Sequence, residues 1–184
     1  SSYFVPKHIR ALISETSHWI VKYKCNVPTG GHAGAEVIFN IISVDRHHRN
    51  PAKCEAFAVS VVTRMLRWLA VAYSRAQSKC GRRLEIFLYY TGCRKESPAS
   101  DAHTLSTQHV NSAFADVCAR SGEVVIFRRE EWFKVFIHET FHALGMDYTA
   151  MDLHRFDKTL RSIYHLDIEY AAQEMYAVTG ARRL

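Results

Sequence analysis

Five consecutive residues, His138-Glu139-Thr140-Phe141-His142, hold the side chains of this sequence best suited to chemistry. In a helix, two histidines four positions apart lie one turn apart on one face, so both imidazoles can reach a single ion. Glu139 follows the first histidine by one residue. That spacing brings its carboxylate to the coordination position left open, where it can hold and deprotonate a water. Two imidazoles, a carboxylate and a water suit zinc, so one Zn2+ is the expected cofactor and Glu139 the expected catalytic base. The residues ahead of the motif argue that the helix is buried: Trp132, Phe133, Val135, Phe136 and Ile137 make its first turns apolar. Two imidazoles and a carboxylate buried on one short face without a cation would leave uncompensated charge, which is costly. The competing reading is a pair of core histidines satisfied by backbone carbonyls.

A third ligand must come from elsewhere in the chain. Glu174 leads, because its helical neighbours Tyr170, Ala171, Ala177 and Val178 put it in an apolar stripe. A carboxylate pointing inward calls for a cation. Glu169 has the more mixed neighbours His165, Leu166, Ala172 and Gln173, and Asp147 lies closest to the motif. Asp152, Asp157, His154 and His165 stay open behind these. The expected metal set is His138, His142 and Glu174.

The elements that must position these residues can be read from periodicity. A helix over 129–144 carries the motif, with Gly145 suited to its end. The β-branched, apolar runs at 36–44, 83–90 and 122–128 read as strands. The segment 52–76 reads as a long helix, apolar on nearly every side, which predicts burial between layers. Residues 7–24 read as a first helix behind Pro6, 26–35 as a Gly-rich loop, and 45–51 as a polar connection. A long polar loop spans 91–109, and two further helices are predicted over 148–164 and 167–178. With no repeats and no internal linker, the reading is a single α+β domain over residues 1–184.

Composition sets the bounds. At 184 residues, with 48% hydrophobic and 23% charged residues, the chain can bury one real core and is not disordered. Eleven histidines are many for this length and point mildly to chemistry. The net charge of +6 would suit an anionic partner. Its densest stretches, 46–49, 79–83 and 182–183, do not alternate with aromatics as a nucleic-acid stacking platform would, so support for nucleic acid is weak. Five cysteines, an odd number without a CxxC pair, argue against a disulfide scaffold or a four-cysteine zinc site and for a reducing, intracellular compartment; a single bridge stays open. The longest apolar candidate for a membrane span, 56–73, is interrupted by Arg64 and Arg67. No signal peptide is evident, and a start at Ser1-Ser2 is compatible with a trimmed leader.

The string HETFHALGMD, with a strand directly ahead of its helix, resembles the zincin metallopeptidases. The longer stretch 110–147, VNSAFADVCARSGEVVIFRREEWFKVFIHETFHALGMD, is similar to predicted zincin-like metallopeptidases of large DNA viruses of protists, and Glu174-Met-Tyr-Ala is similar to a downstream Glu-x-aromatic-Ala motif. Gly145 stands where the metzincin pattern has glycine, but Tyr148 stands where that pattern needs a third histidine. The gluzincin plan, with a Glu from a later helix, therefore fits better. The resemblance implies a twisted sheet over a backing helix and an active-site helix, one zinc, and hydrolysis of a peptide or protein substrate; with the reducing compartment read from the cysteines, the expected setting is cytoplasmic or virus-associated. It also implies a rim strand at 110–115 that holds the substrate backbone, a flanking loop at 91–109, and an oxyanion donor among Tyr148, His154, His165, Tyr170 and His109. The alternative is a catalytically silent docking module in a larger assembly, with nucleic acid as one candidate contact. An intact His138, Glu139 and His142 argues against that, since a silent module has no physical need for Glu139.

Overall fold

The computed structural model describes residues 4–16, 19–29, 32–43, 50–76, 79–96, 107–147 and 154–164. Along the chain these form α1 (Lys7–Glu15), β1 (Trp19–Thr29), β2 (His32–Ser43), α2 (Pro51–Tyr73), β3 (Arg83–Tyr90), α3 (Thr107–Val110), β4 (Ala113–Ala115), β5 (Ser121–Ile126), α4 (Trp132–Ala143) and α5 (His154–Tyr164). The architecture is α+β. One five-stranded sheet has the order β1-β2-β3-β5-β4. Its centre, β2, β3 and β5, is parallel; β1 is antiparallel to β2 at one edge and β4 antiparallel to β5 at the other.

A parallel centre has to be covered on both faces, which is why its strands read as continuous apolar runs. On one face Val37, Phe39, Ile41, Leu84, Ile86, Leu88, Val124 and Ile126 are buried against Ala58, Val61, Met65 and Leu69 of α2 and Phe136 of α4. On the other, Ile38, Ile42 and Val125 are also buried, and Ile9 of α1 packs with Val5 and Phe127. The crossover between parallel strands β2 and β3 is α2 itself. Its start is set by Asn50, whose side chain accepts from the Ala52 and Lys53 amides at 3.0 and 3.4 Å, and by Pro51 in the first turn.

Three expectations are corrected here. The helix expected over 7–24 stops at Glu15, and 19–29 is the edge strand β1. There Trp19, Val21, Tyr23 and Cys25 turn inward while Ile20, Lys22 and Lys24 face solvent, a period of two that a tally of helical spacings hid. The loop expected over 26–35 is mostly strand, with β1 running to Thr29 and β2 starting at His32. Finally, α2 is not sandwiched between layers: Val59 and Val71 on its outer face are 48% and 53% exposed. By length and composition α2 could cross a membrane, but its buried face is spent on the sheet. The strands expected at 36–44, 83–90 and 122–128 correspond to β2, β3 and β5, and the helix expected at 148–164 is described from His154 onward as α5. The helix expected over 167–178 lies outside the described residues.

A disulfide joins Cys80, in the turn before β3, to Cys118, in the turn between β4 and β5. Helices α2 and α4 meet through Trp68, whose indole Nε1–H donates to Thr140 Oγ1 at 2.7 Å while its ring stacks on Phe141. Thr140 is fully buried and its hydroxyl also donates to the Ile137 carbonyl at 2.7 Å. Trp68→Phe keeps the ring contact and removes the indole donor. It should lower stability by about 1–2 kcal/mol in urea unfolding, the cost of leaving a buried polar contact unmade.

Candidate metal centre

The motif lies on α4, a helix that is buried over most of its length. Phe136, Ile137, Phe141 and Ala143 supply apolar contacts, and Glu139, Thr140 and His142 are buried beside them. Such a helix must satisfy its polar groups locally, and the way it ends does much of that. Gly145, at φ +64°, donates to the His142 carbonyl at 3.1 Å, and Met146 donates to the Phe141 carbonyl at 2.8 Å. These two bonds form a Schellman motif, and Met146 packs on Ile137 and Phe141 as that motif favours. Only a left-handed residue allows the turn, which explains the glycine.

The turn brings the chain back onto the helix it has just left. Asp147, two residues beyond Gly145 and fully buried, places Oδ2 at 2.5 Å from His142 Nδ1. A carboxylate there accepts the Nδ1 proton and so leaves Nε2 with its lone pair for a ligand. That lone pair faces the second imidazole: His142 Nε2 and His138 Nε2 are 3.2 Å apart, with the rings edge-on and their centroids 4.8 Å apart. At metal–nitrogen bonds of about 2.0–2.1 Å, this separation subtends roughly 100° at a shared ion, close to a tetrahedral angle. The donors present therefore fit zinc, with two imidazoles converging and a carboxyl group behind one of them. Glu139 is 8% exposed and follows His138 directly, on the same turn.

Among the described residues no three His, Cys, Asp or Glu side chains converge as a ligand set. Glu174 and Glu169, together with Asp152 and His165, lie outside those residues, as do the oxyanion candidates Tyr148 and Tyr170. His154 opens α5 with its side chain exposed, Asp157 lies within α5, and His109 lies in α3. Asp147, weighed above among the third ligands, contacts His142 at its other ring nitrogen. It stands at Nδ1, across the ring from the Nε2 that would face the ion, and orients His142 from behind. The sequence does carry a signal for this, since a chain leaving a glycine-terminated helix turns back over its last turn. The rim strand expected at 110–115 is β4 at 113–115, an edge strand paired with β5, whereas Val110 ends α3. The loop expected at 91–109 is described only at its ends.

Compared with family models, curated proteins and solved structures, the chain matches none.

Two outcomes are expected from this geometry. If His142 holds zinc, Asp147→Asn should weaken zinc binding by roughly 10–100-fold, the usual effect of losing an outer partner of a ligating histidine, as measured against a competing chelator. Gly145→Ala should destabilise the fold by about 1 kcal/mol or more in urea titration, because alanine resists a left-handed backbone.

Proposed function

We propose that this chain is a zinc-dependent peptidase with a zincin-like fold, in which His138, His142 and Glu174 hold the ion and Glu139 is the general base. The observation that carries the reading is the convergence of the two Nε2 atoms at 3.2 Å, with buried Asp147 fixing the tautomer of one ring. Surface histidines need no such arrangement. Glu139, buried on the same turn and one residue after His138, has the spacing from which a carboxylate can reach a water on an ion held by the two imidazoles. The topology is compatible with the reading: a short antiparallel edge strand, β4, lies beside the strand that leads into α4, as a peptide-binding rim requires.

Zinc, when bound, would lower the pKa of a water to about 7 and polarise the scissile carbonyl. Glu139 takes a proton from the attacking water and returns it to the departing amine, so its carboxylate begins and ends each cycle ionised. His138 and His142 hold the site open on one side, and Asp147 keeps the His142 ring from rotating. Glu174 supplies the third donor, which keeps the set to two imidazoles and one carboxylate and leaves a position for water.

A peptide-library digest by the purified protein, run with and without a chelator, tests this reading. Chelator-sensitive cleavage is expected, and its absence across a broad library would reject peptidase activity. Glu139→Gln should keep zinc and fold while hydrolysis falls by several orders of magnitude; loss of zinc in that variant would mean that Glu139 is a ligand instead. Glu174→Ala should lose zinc while Glu169→Ala retains it, and the reverse pattern would move the third ligand to Glu169.

A further inference from the structure

The C-terminal end of α4, which carries His142, is clamped from outside the helix by the turns that the disulfide joins. The Cys118 amide donates to the His142 carbonyl at 3.0 Å, the same carbonyl that receives Gly145. One residue after Cys80, the Gly81 amide donates to the Ala119 carbonyl at 2.8 Å, and the Tyr73 hydroxyl donates to the Gly81 carbonyl at 2.7 Å. Burial pushes the Tyr73 phenol up, which keeps it a neutral donor. Gly81, at φ +60°, lies so close to α4 that a Cβ there would come within 2.5 Å of Leu144 Cδ2. Cys118 is itself left-handed, at φ +45°, a conformation that a non-glycine residue keeps only when its surroundings hold it there. The bridge to buried Cys80 is the covalent part of that hold.

We propose that the Cys80–Cys118 disulfide is a redox-sensitive staple that sets how firmly His142 is presented to the metal, so that reduction loosens the metal site without unfolding the chain. The proposal rests on the zinc reading above. Cys80 is buried and Cys118 only half-buried, so attack falls on Cys118 Sγ. With a phosphine reductant, phosphorus bonds to Cys118 Sγ, the S–S bond breaks, and Cys80 leaves as a thiolate that takes a proton. Water then releases the Cys118 thiol and carries the phosphine off as its oxide. The disulfide gains two electrons and phosphorus loses two. Freed of the bridge, Cys118 can relax from the left-handed region, and its amide leaves the His142 carbonyl.

The test uses zinc-loaded wild type in its oxidised form, the same protein after phosphine reduction, and the Cys80→Ser/Cys118→Ser double variant. A phosphine is chosen because dithiols would compete for zinc. Zinc release to a chromophoric chelator should be about tenfold faster in the reduced protein and in the double variant, at the low end of the range for disturbing the surroundings of a ligating histidine. Amide hydrogen exchange at Gly145 and Met146 should rise in step, while far-UV circular dichroism stays unchanged. Stoichiometric zinc released at the same rate in all three samples would overturn the staple alone. Loss of the dichroism signal on reduction would overturn it too, because the bridge would then hold the fold and not the site. An oxidised protein that binds no zinc would defeat the metal reading, and this inference with it.

Discussion

The contact between Asp147 and His142 is the constraint around which the site is organised. An imidazole on a buried helix face is costly unless both ring nitrogens have partners, and a buried carboxylate is costly without a donor. Each group answers the other across 2.5 Å. The contact depends on the chain turning back at Gly145, a turn held by the left-handed glycine, by the Gly145 and Met146 amides on the helix carbonyls, and by Met146 packing on the apolar residues of α4. One hydrogen bond thus ties ring orientation, helix termination and hydrophobic packing together. What it leaves available is a single lone pair, aimed at a second imidazole.

The rest of the fold supplies stiffness to that helix. The parallel centre of the sheet and α2 form an apolar bed under α4, with Phe136 in the main core and Trp68 reaching Thr140 from α2. On the other side the β4–β5 turn touches the His142 carbonyl. If the two imidazoles share an ion, as proposed, their convergence benefits from being held by elements from three parts of the chain rather than by one loop.

How much of this could be read from the sequence depended on the range of the forces involved. The motif helix was legible because its apolar residues and its two histidines obey a single 3.6-residue period. Strands β2, β3 and β5 were legible because burial on both faces leaves uninterrupted apolar runs. Strand β1 was missed because an edge strand with one solvated face alternates Lys22 and Lys24 with Tyr23 and Cys25, and its Ile20-Val21 pair extends an apparent helical pattern. The exposed face of α2 was also missed, since Val59 and Val71 look like core residues in sequence. Asp147 is legible in sequence only as one alternative third ligand behind Glu174 and Glu169; that it meets His142 at Nδ1 depends on the geometry of the turn at Gly145. The Cys80–Cys118 bridge, 38 residues apart in sequence, depends wholly on how the sheet brings two turns together.

The most direct test of the central claim is the zinc content of the purified protein after equilibrium dialysis, measured beside the His142→Ala variant. The account predicts one zinc per chain in wild type and none retained by the variant. Zinc absent from wild type, or held equally by both proteins, would contradict it.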